Sequence, residues 1–163
     1  MDIPDVSELM PRQLLELHAN IEEQLRALKI MRSANNPTGD LAEYLFRTAF
    51  GWEASTNSQL GFDATDGDGK RYQIKGRRIA GFNKSRQLSA LRNISEGHFD
   101  FLAGVLFGED YGVMRAAIIP HAVIQQRASF QKHTNSHRFL LVEGIWEVPG
   151  VEHVTERLKA VWH

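Results

Sequence analysis

Gln59-Leu60-Gly61-Phe62-Asp63-Ala64-Thr65, then Asp66-Gly67-Asp68-Gly69, then Arg71-Tyr72-Gln73-Ile74-Lys75-Gly76-Arg77 is the stretch whose reading decides the fold. Helical periodicity stops at Gly51, and two strand-like runs bracket a turn made of aspartate and glycine, which is a β-hairpin pattern. Side chains two apart on a strand share a face, so Gln73 and Lys75 point one way and Ile74 points the other, toward packing. Pairing Thr65 with Arg71 across the five residues between them predicts Asp63 opposite Gln73 on the same face. A slip of one residue would undo this. In that register a carboxylate, an amide and an ammonium converge. Such a trio suits phosphodiester hydrolysis: the carboxylate holds a hard cation such as Mg²⁺ that polarises the phosphate and activates water, and the lysine steadies the pentacovalent anion or helps deprotonate the water.

Upstream of this stretch, Asn36 followed by Pro37 predicts an N-cap and first helical position, opening a helix over about 37–50. Its apolar face gathers Leu41, Ala42, Leu45, Phe46 and Ala49, with Glu43 and Arg47 together at the edge. Further upstream, Leu14, Leu17, Ile21, Leu25, Leu28 and Met31 recur every three or four residues and predict a long helix over 7–31. Its stripe suits packing onto its own domain, the commoner arrangement, or the seam of a homodimer. Ser33-Ala34-Asn35-Asn36 is a break, which divides the chain into an N-terminal helix for assembly (1–34) and one α/β domain (35–163). Downstream, apolar runs at 99–107 and 112–119 flank the turn Gly108-Glu109-Asp110-Tyr111 and predict buried strands. A short helix over 121–128, a strand over 138–142 and a closing helix over 151–161 complete the expectation. The fold class is α/β (α+β), a central mixed sheet flanked by helices.

At 163 residues the chain can bury one sizeable core. It has no cysteine, which excludes disulfides, thiolate metal sites and a cysteine nucleophile and suits a reducing cytoplasm. The start Met1-Asp2-Ile3-Pro4-Asp5 is acidic and does not read as a signal peptide, and no run of apolar residues is long enough for a membrane span. Net charge is only −1, yet from Gly69 to Ser95 there are eight basic residues (Lys70, Arg71, Lys75, Arg77, Arg78, Lys84, Arg86, Arg92) and no acidic one. A local basic stretch in a neutral protein is what a phosphate-contacting surface looks like, although most charge runs are solvated loops.

Asp63 followed ten residues later by Gln73-Ile74-Lys75 resembles the motif of the PD-(D/E)XK superfamily of restriction-endonuclease-like nucleases, in the variant with glutamine at the second acidic position. The lead-in Asn57-Ser58-Gln59-Leu60-Gly61-Phe62 is similar to the glycine-containing approach of the type IV restriction and Holliday-junction-resolving branches. The resemblance covers roughly residues 37–119. It implies a restriction-endonuclease-like core of helix, three-stranded meander, helix and strand, with the motif on the second and third strands. It further implies Mg²⁺ or Mn²⁺ held by Asp63, Gln73, the Ile74 carbonyl and a helix-borne Glu43, with Lys75, Asp63, Gln73 and Glu43 carrying catalysis. DNA is the implied partner, with Arg77, Arg78, Lys84 and Arg86 on its backbone and no membrane involved. Two departures stand out: Phe62 replaces the proline that usually precedes the aspartate, and glutamine brings no charge to the metal.

Other motifs fail on spacing. Aligning a calcium loop on Gly69 puts Ala64 at the first ligand position and Lys75 at the bidentate glutamate. His133 and His137 lack the glutamate of a zinc protease helix, and no glycine-lysine-serine/threonine Walker loop or nucleophile elbow occurs. Two functions therefore remain: a metal-dependent endonuclease-like phosphodiester hydrolase, or an idle nuclease-fold protein that binds nucleic acid or a protein partner. A plainer account of the same residues makes Glu43 and Arg47 a surface pair and Lys75 a solvated sheet residue.

Overall fold

A computed structural model describes residues 3–56 and 61–163. The first helix, α1 (Pro11–Ala27), is shorter than the predicted span. Proline has no N–H to give an intrahelical bond, so the helix opens at Pro11, and Gln13 Oε1 accepts from the Met10 N–H. At the other end Lys29 takes a left-handed φ of 60° while Ile30 N–H closes back on the Leu25 carbonyl. The expectation that the apolar stripe packs onto its own domain holds only at its C-terminal end, where Met31 is buried and Leu25 half-buried; α1 itself has no buried residue. Met10, Leu14, Ile21 and Leu28 are all exposed.

The second helix, α2 (Pro37–Phe50), has the predicted bounds. Asn36 Oδ1 accepts from the Thr38 N–H at 3.0 Å, and Gly51 closes the helix at φ 68°. Then come the short strands β1 (Glu53–Ala54) and β2 (Ala64–Thr65), and the long β3 (Arg71–Arg78). The turn between β2 and β3 is built on Asp66, whose Oδ1 accepts from the N–H groups of Asp68 and Lys70. Thr65 pairs with Arg71 and Ala64 with Tyr72, the predicted register. The residues predicted to begin the hairpin, Asn57 to Leu60, lie outside the described ones.

β4 (Phe101–Phe107) runs parallel to β3, and β5 (Val113–Pro120) is antiparallel to β4. The crossover from β3 to β4 is irregular chain with one 3₁₀ turn at Ile94–Glu96, so the helix implied after the meander is not among the described residues there. After α3 (His121–Arg127) a small hairpin forms from β6 (Ser129–Gln131) and β7 (Ser136–Arg138). The predicted strand over 138–142 is thus mostly displaced: Arg138 ends β7, Leu140 makes an isolated bridge to Gln87, and the chain turns into a 3₁₀ segment at Glu143–Glu147. The predicted closing helix is likewise cut to α4 (Thr155–Lys159), because Glu152–His153 forms β8 on the free edge of β5. The result is a six-stranded mixed sheet in the order β1-β2-β3-β4-β5-β8.

Both faces of this sheet are covered, which is why β4 reads as a nearly unbroken apolar run. One face carries α2 and α4, with Leu45 and Phe46 packed on Tyr72, Ile74, Val105 and Phe107. The other face packs Leu102 and Leu106 under Ile124, Phe139 and Leu141. The α2 side depends on Gly76, where a Cβ would stand 3.0 Å from both the Ala42 Cβ and the Thr38 carbonyl oxygen. The backbone of α2 leaves no room for a side chain there. Gly76→Ala is therefore expected to lower unfolding free energy by about 1–3 kcal/mol in urea titration. Gly39→Ala, at a helical position with nothing within 4 Å, should raise it by about 0.5–1 kcal/mol.

Candidate metal and phosphodiester site

The site is organised where β2 stops. Asp63 N–H donates to the Tyr72 carbonyl at 2.8 Å, continuing the ladder for one more bond. The Asp63 carboxylate then takes the next place: its Oδ2 accepts from the Ile74 N–H at 2.7 Å. Asp63 is thus level with Gln73 as the register predicts, and its carboxylate is tied to the β3 backbone. The N–H and C=O of one strand residue project to the same side. The Ile74 carbonyl therefore faces the edge that Asp63 occupies.

Glu43 reaches this edge from α2. Burial pushes both carboxyls above the usual carboxylate range, Asp63 against the opposing pull of the Ile74 N–H and the Lys75 and Arg32 charges. For Glu43, burial acts first and the Asp63 charge adds to it, with Arg32 opposing. Two desolvated carboxylates that feel each other lack enough positive charge. Lys75, next along β3 from Ile74, acts on Asp63 electrostatically and has no hydrogen bond or ion pair among the described residues.

Gln73 lies on the face it shares with Lys75, opposite the buried Tyr72 and Ile74. Its Oε1 is buried and accepts no hydrogen bond among the described residues. A buried acceptor left without a donor costs free energy, and a cation would satisfy it. The oxygens of Asp63, Glu43, Gln73 and Ile74 are the hard donors that Mg²⁺ or Mn²⁺ prefers, so the residues present fit a divalent cation. Among the described residues no group of three His, Cys, Asp or Glu is assembled for a metal, so any such site relies on the amide and carbonyl oxygens.

Arg32 was not legible as a site residue. Its guanidinium pairs with Glu43, which displaces the surface pair of Glu43 with Arg47. The linker that carries Arg32 is fixed by Asp40, whose Oδ2 accepts from the N–H groups of Arg32 and Ser33, each at 2.8 Å, and from the Ser33 hydroxyl. Burial pushes the Asp40 carboxyl up, but these donors overcome it and hold it below the ordinary value. No spacing signal joins Arg32 to Glu43, because the loop alone brings them together.

The four expected phosphate contacts divide. Lys84 is exposed. Arg77 donates its Nε to the Ser85 carbonyl, and Arg78 donates to the Glu109 carbonyl while lying 4.5 Å over the Tyr111 ring. Both arginines line a cleft of about 270 Å³ with Asn36, Thr38 and Asn83 at the N-terminus of α2. Arg86 is engaged elsewhere, pairing at 2.8 Å with Glu143, which also binds Arg115.

The chain matches no protein-family model and no curated protein. No helix among the described residues is long and apolar enough to cross a membrane.

The raised carboxyls make a signed prediction. A carboxyl with a folded pKa above its unfolded one contributes stability below the ordinary carboxylate range, and that contribution is lost as pH rises through the raised value. Lowered carboxyls such as Asp40, Asp66 and Asp100 contribute the opposite slope, so the informative quantity is a difference. In EDTA, the combined Asp63→Asn and Glu43→Gln chain should gain stability relative to wild type as pH rises from about 4 to 7. At pH 7, Mg²⁺ or Mn²⁺ should stabilise wild type, by about 2.7 kcal/mol at a hundredfold excess over Kd, and leave the double variant unmoved in thermal melts.

Proposed function

We propose that this chain is a metal-dependent nuclease that hydrolyses phosphodiester bonds in DNA. The observation that carries the reading is the meeting of the desolvated Asp63 and Glu43 carboxylates where β2 ends, with Lys75 acting on the same carboxylate. The resemblance to the PD-(D/E)XK pattern supports it from the order of parts: an acid-bearing helix, an antiparallel meander, then a strand carrying Gln73-Ile74-Lys75.

In this reading Asp63, Glu43, Gln73 Oε1 and the Ile74 carbonyl hold Mg²⁺ or Mn²⁺, which supplies Lewis acidity and a lowered pKa for water. The Ile74 N–H fixes the Asp63 carboxylate on β3, so the ligand is oriented before substrate arrives. Lys75, as the ammonium that also acts on Asp63, supplies positive charge toward the phosphate as the pentacovalent anion forms. Arg32 draws charge from Glu43 and sets how tightly that carboxylate holds the cation. Arg77 and Arg78, which line the cleft beside Asn36 and Thr38, offer positive charge to the DNA backbone. The same reading places the chain in the cytoplasm, with DNA.

A second reading is an idle nuclease fold that binds nucleic acid or a protein partner. The neutral Gln73 favours it, since one of two carboxylates is missing from the strand. Incubation with single-stranded, duplex and branched DNA plus Mg²⁺ or Mn²⁺ separates the two. Cleavage that falls at least about a hundredfold in both Asp63→Ala and Lys75→Ala supports the enzyme. Salt-dependent binding without cleavage selects the idle fold, and the absence of both cleavage and binding removes nucleic acid as the target.

The exposed stripe of α1 supports pairing with a second copy: Leu14, Ile21 and Leu28 recur every seven residues, with Met10 before them and Leu17 between the first two. Ile21→Glu is expected to shift a dimer to monomer in sedimentation equilibrium without changing the melting of the α/β domain. A wild-type monomer at high concentration would sink this assembly.

A further inference from the structure

A second cavity, of about 420 Å³, opens where the end of α1 and the linker after it approach α2. Its lining includes four cations, Arg26, Lys29, Arg32 and Arg47, together with Tyr44 and Trp52, and no carboxylate. Two of the cations are partly compensated from outside the lining: Arg26 by Glu22 at 3.1 Å, and Arg32 by Glu43. Lys29 and Arg47 have no acidic partner among the described residues. The Arg47 Nε is moreover buried with no acceptor. A buried guanidinium donor without a partner is rare and costly, and an anion would satisfy it.

Two further features shape the cavity. Lys29 lines it from the left-handed turn that closes α1, at a φ of 60° that favours glycine. Trp52 is clamped flat on Tyr72, with ring centroids 3.7 Å apart, and gives the cavity a rigid wall.

We propose that this cavity binds a phosphate monoester, and that the monoester is the terminal phosphate of a nucleic-acid strand. A monoester carries about −1.5 to −2 charge at neutral pH and three terminal oxygens, which matches clustered guanidinium and ammonium donors better than the single charge of an internal phosphodiester. The choice of a strand end as its source rests on the nuclease reading: Arg32 lines the cavity while its guanidinium holds Glu43 of the metal site. A phosphate seated there would compete with Glu43 for Arg32. End recognition would thereby be coupled to the charge of a metal ligand.

The test uses the full chain in EDTA, so that no cleavage intervenes. Fluorescence anisotropy compares oligonucleotides of one sequence carrying a 5′-phosphate, a 3′-phosphate or hydroxyls at both ends, and calorimetry measures inorganic phosphate and adenosine monophosphate. One phosphorylated end should bind at least about tenfold tighter than the hydroxyl-ended strand, with inorganic phosphate competing for the difference. Lys29→Gly and Arg47→Met should each remove most of that preference. The first places glycine where the backbone favours it, and the second removes an unpaired buried donor, so both should melt at or above the wild-type temperature. Equal affinity for all three strands overturns the proposal, as does a preference that survives both substitutions. Binding of phosphate and adenosine monophosphate with no preference among strands assigns the cavity to a small ester and overturns the strand-end assignment. Because the binding test contains no metal, it is independent of the cleavage assay: a chain that prefers phosphorylated ends in EDTA yet never cleaves DNA with Mg²⁺ or Mn²⁺ would keep the pocket and refute the nuclease. Cleavage without end preference would do the reverse.

Discussion

A helix can lie against a strand at backbone distance only where the strand lacks a side chain, and in this protein that place is Gly76. The Thr38 carbonyl and Ala42 of α2 come within 3.0 Å of where its Cβ would be. This approach sets the height of α2 over β3, and so how far Glu43 stands from the end of β2. The apolar contacts of Leu41, Leu45 and Phe46 with Tyr72 and Ile74 hold the helix in place. Their burial also keeps water from one side of the Glu43 and Asp63 carboxyls, whose raised pKa values are its electrostatic consequence.

The second constraint is a strand that stops early. β2 has two residues, and β3 has eight. A longer β2 would cover the polar groups of β3 with a continuous ladder. Because it ends at Ala64, the Ile74 N–H bonds to a carboxylate and the Ile74 carbonyl is left on an open edge. A conversion of backbone bonding into side-chain bonding at a strand end is a compact way to bring an acid, a carbonyl and a lysine to one place without a dedicated loop.

The linker from α1 to α2 ties the two candidate sites together. Asp40, held ionised by Ser33 and the backbone of Arg32, fixes the path of the chain. The Arg32 side chain then faces Glu43 and also lines the cationic cavity. One residue thus touches both the Glu43 carboxylate of the proposed metal site and the cavity proposed for a phosphate, so a charge placed at one would be felt electrostatically at the other.

Much of the core was written locally. The Asn36-Pro37 cap, the glycine after Phe50 and the Asp66–Gly69 turn each use short-range backbone chemistry, so the bounds of α2 and the Thr65–Arg71 register could be read from the chain. The buried strands β4 and β5 were equally legible, because cover on both faces demands a continuous apolar run. The places of Glu43 on α2 and of Lys75 on β3 were legible for the same reason, since each of those elements has a strong local signal, and Asp63 follows from the Thr65–Arg71 register. What the tertiary structure decided depends on partners distant in sequence. The free edge of β5 captured Glu152–His153 and cut the closing helix short, and the irregular chain after β3 drew Leu140 into a bridge with Gln87. The stripe of α1 has an unmistakable period, yet a period records only that a face is apolar, and nothing local says what will cover it. The pairing of Arg32 with Glu43, the unpartnered Arg47 and Gln73 atoms, and the cationic cavity arise from loop paths and packing heights. These are sums of many weak long-range contacts, and no window of sequence contains them.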